Sequence, residues 1–328
     1  MTLNNINTTS NRDLALDLLR AFGIFCMIVG HIGFGSKIDL FIHAFHMPLF
    51  FFVSGMFFKD ANTNFNTFAK NKARKLLLPY LYFGTFYYIV VLIFFTSDWY
   101  EPLKILFWNN FHGMYFVGAL WFLTAFFTAN IIYFAINSIK SFVLRLIAVV
   151  SVVSLGTLLP LLLPFRLPYT MDAGMVGVGF MFCGHLLKKS RYYEKWTNLS
   201  FYFIFRISVL ILILIFINGY VNMKLGIYRN VLLFWVNALG SIFIGINLCN
   251  LVVRTTKSLY CKKLLSWISI MGRDSLVFLC VNEFIILILI HSIQLDNLIL
   301  LIFIYLILTI LGCYLVNFLL KKLKLISF

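Results

Sequence analysis

The sequence predicts an all-α integral membrane protein of about ten transmembrane helices, with both termini in the cytoplasm. Three observations predict it. Hydrophobic residues make up 62% of the 328 and charged residues 12%, against roughly 45–50% and 25% in a soluble domain. Ten apolar runs have about the length that a ~30 Å hydrocarbon core requires. Lysine and arginine are distributed unevenly between the loops that join those runs.

In order, the runs cover residues 13–33, 43–59, 76–96, 114–136, 144–163, 172–187, 199–219, 229–252, 272–291 and 298–320. The first follows a polar stretch and carries Asp17, Arg20 and His31. The second opens at His43 and His46, and the third follows the basic segment KNKARK. The fourth contains ALWFLTAFF, the fifth follows Lys140, and the sixth ends at Lys188 and Lys189. The seventh holds Arg206, the ninth holds Asn282 and Glu283, and the tenth stops at Lys321 and Lys322.

An even number of spans puts both termini on one side, and positive charge marks that side as cytoplasmic. The N-terminal segment with Arg20, the loops after runs two, four, six and eight, and the C-terminal tail hold 20 of the 27 basic residues, among them Arg12 and Lys324. The opposite loops hold five: Lys37, Lys104, Arg166, Lys224 and Arg229. This asymmetry also accounts for the net charge of +16 without a nucleic-acid partner. The six cysteines lie in or beside apolar runs with no metal-ligand spacing, so neither a disulfide framework nor a metal site is expected. Residues 1–11 lack a basic n-region and the next run has no small-residue cleavage site, so the first run is expected to remain as a span. One membrane-embedded domain over residues 1–328, with no appended soluble module, is expected.

Few polar residues lie at membrane depth, and each is a functional candidate because burying it is costly. Arg20 and His31 are eleven positions apart, about three helical turns, so they share one face about 16 Å apart along the axis. Asp17 stands at ion-pair spacing before Arg20. A paired arginine suits a phosphate-bearing ligand, which it can hold bidentately. His43 and His46 have helical i, i+3 spacing, and a hairpin of the first two runs would bring them near His31. Imidazole suits general base work near neutral pH. Lys70, Lys72, Arg74 and Lys75 fit either headgroup contact or a polyphosphate donor. Glu283 is expected to be protonated, paired or facing water; pairing with Arg206 and a role as proton acceptor or sugar-hydroxyl ligand are both open. Asn282 reads as an interhelical hydrogen bond or a site residue.

The segment RDLALDLLRAFGIFCMIVGH, the block HMPLFFFVSG, the pair Lys72/Arg74 ahead of LLLPY, the segment ALWFL and the late MGRDSLVF occur in an order that resembles the acyltransferase-3 family of integral membrane acyltransferases. The match spans most of the chain. The resemblance implies transfer of an acyl group, commonly acetyl from acetyl-CoA, to a hydroxyl of a carbohydrate or other acceptor outside the cytoplasm. It makes His31 the essential histidine, Arg20 its arginine partner, and Lys72 and Arg74 the basic pair. Two positions depart from the family's pattern. Lys72 stands where the family often has arginine, and LCVNEF, with Asn282 and Glu283, stands where it often has a histidine.

The expected enzyme is therefore an O-acetyltransferase of a bacterial plasma membrane. Catalysis is expected from His31, Arg20 and Glu283. Donor phosphates are expected on Lys72, Arg74 and Arg20, and the acceptor on His43, His46 and Asn282. The expected acceptor is a surface polysaccharide or its lipid-linked precursor, with membrane lipids around the protein and no metal. Direct attack and a transient acyl-histidine are both open. The alternative is a transporter or flippase for a lipid-linked sugar, which also needs many spans and buried charge.

Overall fold

The computed structural model describes residues 13–59, 64–108, 110–113 and 117–323. Arg12, Lys324, residues 1–11 and the first three residues of the run 114–136 lie outside them. The described chain folds into helices α1 (Leu14–Ile32), α2 (Ser36–His43), α3 (His46–Met56), α4 (Phe65–Phe94), α5 (Tyr100–Phe107), α6 (Trp121–Asn137) and α7 (Phe142–Leu162). These are followed by α8 (Met171–Lys189), α9 (Tyr193–Trp196), α10 (Phe201–Asn218), α11 (Val231–Thr255), α12 (Leu259–Arg273), α13 (Ser275–Ser292) and α14 (Leu298–Lys322). Counting α2 and α3 as one, nine of the described helices are long and apolar enough to cross a membrane. The fourth expected run is the shorter apolar helix α6, of 17 residues. The chain is an all-α, multi-pass membrane protein.

Buried backbone polar groups must be satisfied within the segment, which is why apolar runs of this length become helices. Asp13 starts α1 by accepting from the Leu16 amide at 3.3 Å, and Gly33 ends it in the left-handed region at φ 87°. Asn230 and Asn297 cap α11 and α14 in the same way as Asp13, through the amides three residues on. Helices α1 and α8 form the centre: α8 packs on α3, α6 and α7, and α1 on α3, α11, α12 and α13. The α3–α8 contact is a close backbone approach. A Cβ on Gly55 would collide with the Met181 carbonyl, and one on Gly184 with the Phe52 carbonyl. Small residues at a helix crossing are the usual way membrane helices gain packing contact.

Three boundaries correct the sequence reading. The run 43–59 is not one helix: α2 begins earlier, in a stretch expected to be loop, and the chain breaks at Ala44 and Phe45 before α3. Pro48 favours the break, because it has no N–H for the Ala44 carbonyl and its ring crowds that carbonyl in a continuous helix, although α4 and α7 run on through Pro79 and Pro160. The basic segment Lys70–Lys75 lies inside α4, which starts at Phe65 rather than at 76. The stretch 253–271, expected to be loop, contains α12, an amphipathic helix laid along α1, and α13 starts only at Ser275.

Candidate active site

The C-terminal end of α1, helix α2, the start of α3, the middle of α13, the loop before α6 and the loop between α10 and α11 enclose a cavity of about 300 Å³. His31, His43, His46 and Glu283 line it, together with Asp39, Trp121, Tyr220 and Lys224.

Asn282 fixes the state of His31. Its side chain is fully buried and its amide nitrogen donates to the carbonyls of Phe278 and Leu279, each at 2.9 Å. Oδ1 is thereby turned towards His31, whose Nδ1 stands 2.6 Å away. Because Oδ1 only accepts, Nδ1 carries a proton and donates it, so that in the neutral ring the lone pair is on Nε2. Nε2 lies 3.5 Å from Glu283 Oε1. The other carboxylate oxygen, Oε2, accepts from the amides of Gly118 at 2.6 Å and Ala119 at 2.8 Å. Glu283 is thus anchored from the loop before α6, with Oε1 facing the imidazole. Arg206 is exposed on α10 and is not the partner of Glu283.

The broken second span shapes the other wall. His43 Nδ1 donates to the Asp39 carbonyl at 2.9 Å and stands 3.0 Å from the Asp39 carboxylate. His46, buried, donates from Nδ1 to the Ile42 carbonyl at 2.8 Å. The two imidazole rings meet edge to face at 5.1 Å, and Tyr220 lies 5.2 Å from His43. Both histidines therefore present Nε2 rather than Nδ1 to the surroundings.

Lys224 enters from the loop between α10 and α11. Its ammonium and Glu283 Oε1 flank one point above Gly118, 2.6 and 3.5 Å from where a Cβ on that glycine would stand. Burial pulls the Lys224 pKa below the ordinary lysine value, and the negative charge of Glu283 pushes it back up.

Arg20 lies at the opposite end of α1 and does not line this cavity, nor do Lys72 and Arg74. Arg20 pairs with Asp17 at 2.8 Å and sits over the Phe57 ring at 4.8 Å. Lys72 sits over Phe68 at 5.5 Å, and Phe68 packs on Phe58 at 5.9 Å. Arg20 and Lys72 therefore flank the aromatic corner that ends α3, while Arg74 is exposed. The candidates divide into two groups towards the two ends of α1: a hydrogen-bonded set of His31, Asn282 and Glu283, and a basic set of Arg20 and Lys72. Sequence reasoning passed over Asp39, Tyr220 and Lys224 as site residues. Lys224 appeared there only as one of five charges in the outer loops, and nothing local to it signals contact with Gly118. Among the described residues no group of three metal-ligating side chains is assembled.

The cavity sets an imidazole beside a carboxylate and an ammonium, an arrangement that can move a proton during group transfer. A family model described as an acyltransferase domain matches residues 13–318. No curated protein and no solved structure matches. With nearly all of its length covered by that match, the chain belongs to the acyltransferase-3 family and is a membrane acyltransferase.

Proposed function

We propose that this protein is an O-acetyltransferase that moves an acetyl group from cytoplasmic acetyl-CoA to a hydroxyl of a surface polysaccharide, or of its lipid-linked precursor, on the far side of a bacterial plasma membrane. The observation that carries the proposal is the His31 geometry: Nδ1–H held by Asn282, and Nε2 on the cavity side, 3.5 Å from Glu283. His31 Nε2 takes the proton of the acceptor hydroxyl as its oxygen attacks the thioester carbon, and Glu283 stabilises the imidazolium. The same nitrogen then returns the proton to the departing thiolate.

The donor reading rests on the division of charge along α1. Arg20, about 16 Å from His31 along α1, and Lys72, with Arg74 two residues further along α4, provide cations for the coenzyme A phosphates. An extended pantetheine arm spans most of that distance. On the acceptor side, His43, His46 and Tyr220 combine hydrogen-bonding nitrogens with an aromatic face, which suits a hydroxyl-rich ring. Asn282 is placed as an orienting residue rather than an acceptor ligand, because both ends of its amide are engaged within the protein.

The test is purified protein in liposomes with acetyl-CoA and glycan fragments of the native host, followed by mass spectrometry of the sugars. An alkali-labile acetyl ester formed only with the protein supports the reading. Translocation of a lipid-linked sugar without any ester would replace it with the transporter reading.

A further inference from the structure

We propose that Lys224 is a catalytic residue of this site: its ammonium donates to the carbonyl oxygen of the acyl group and holds the oxyanion of the tetrahedral intermediate. The proposal rests on the acyl-transfer reading above.

Acyl transfer to a hydroxyl needs two things from the protein, a base for the proton and donors for the oxyanion. His31 and Glu283 supply the first. Backbone amides are the usual second, yet those of Gly118 and Ala119, which line this cavity, already donate to Glu283 Oε2. Lys224 is the cation that lines the same cavity beside them. It makes no ion pair with a carboxylate among the described residues, and Glu283 acts on it only through space. A half-buried ammonium in that position costs free energy unless negative charge arrives, and in acyl transfer it arrives on the carbonyl oxygen.

The loop is built to deliver it. Asn222 and Ile227 exchange backbone hydrogen bonds at 2.7 and 2.9 Å, closing a short hairpin with Lys224 in its turn. The Asn222 carboxamide accepts from the Leu225 amide at 3.2 Å and donates to the Tyr220 hydroxyl at 2.8 Å. Gly226, at φ 70°, leaves the turn against Pro160 and Arg166, where a Cβ would stand 2.7 Å from the proline. Arg166 is itself fixed by Asp172 at 2.5 Å. Val221 and Met223 are buried on either side of Asn222. At the receiving end, Gly118 leaves open the space that the ammonium occupies, since any side chain there would collide with it.

The step balances as follows. The acceptor oxygen bonds to the thioester carbon and its proton passes to His31 Nε2, while the carbonyl π pair moves onto oxygen and is held by the Lys224 ammonium. Collapse restores the C=O bond and breaks the C–S bond, and the leaving thiolate takes the proton back from His31. Lys224 keeps its proton throughout.

The test compares binding of two coenzyme A thioethers to the wild type and to Lys224→Met and Lys224→Arg. One probe carries a neutral methyl ketone and the other a methylphosphonate, a tetrahedral anion. The wild type is expected to prefer the anionic probe by roughly 10²-fold or more, as expected of an intermediate mimic. Lys224→Met should lose that preference while still binding the ketone, and Lys224→Arg should keep part of it. A preference that survives in Lys224→Met, or is absent from a wild type that binds the ketone, overturns the proposal and leaves the acyl-transfer reading standing. Failure of the wild type to bind either probe overturns the coenzyme A reading, and this assignment with it.

Discussion

At His31 the position of one proton decides which nitrogen faces the cavity. Asn282 makes that decision, because its donors are committed to α13 carbonyls and only its oxygen remains for Nδ1. Asn282→Leu keeps the volume and removes the acceptor. The expected result is a fall in transfer rate of roughly 10- to 100-fold, the order lost when an orienting partner of a reactive imidazole is removed. The measurement is the initial rate of acetyl ester formation at matched protein levels, and an unchanged rate would show that Asn282 only joins helices. The residue scale is also where the sequence was most informative. A histidine one face-turn series above an arginine, and a glutamate deep in an apolar run, are conspicuous in one dimension. Lys224 and Asp39 are not, because a charge in a polar loop has no local mark of its depth; the Asn222–Ile227 closure and the bare Gly118 that give Lys224 its place are tertiary.

Among the elements, the interrupted second span matters most for the site. The gap between α2 and α3 orients His43 and His46, each bonded to a carbonyl four residues back, and Pro48 disfavours a continuous helix there. Pro48→Ala restores an N–H for the Ala44 carbonyl and lets the two helices join. Unfolding temperature in detergent should hold or rise, while transfer to the acceptor should fall through a raised KM; unchanged KM with a lower unfolding temperature would contradict this. The α3–α8 crossing makes the opposite kind of prediction. Gly184→Leu forces the helices apart at the Phe52 carbonyl and should destabilise by about 1–3 kcal/mol, the usual cost of overpacking, read as a drop in unfolding temperature. Hydropathy revealed the long apolar helices because their signal is an average over many residues. It missed α12, whose exposed face carries Lys262 and Lys263 beside an apolar face turned to α1, and it missed the break ahead of Pro48.

For the whole molecule, the basic residues concentrated in alternate loops predict an orientation with both termini in the cytoplasm. Cys261 gives a direct check, because it is exposed on α12, in a segment that the charge pattern places in the cytoplasm, whereas Cys26, Cys280 and Cys313 are buried. A membrane-impermeant maleimide should label Cys261 in inverted vesicles and not in intact cells; labelling from outside would reverse the orientation. With that orientation the His31 cavity would open away from the cytoplasm and the Arg20 end of α1 would face it, so that in the proposed reaction one helix joins donor phosphates to acceptor hydroxyl. The measurement that tests this most directly is incubation of membranes bearing the wild type or His31→Ala with radiolabelled acetyl-CoA, followed by counting of label in the glycan fraction. Label with the wild type, and a loss of at least about 10²-fold in the variant at equal membrane insertion, is the predicted result. Equal labelling by the two proteins would contradict it.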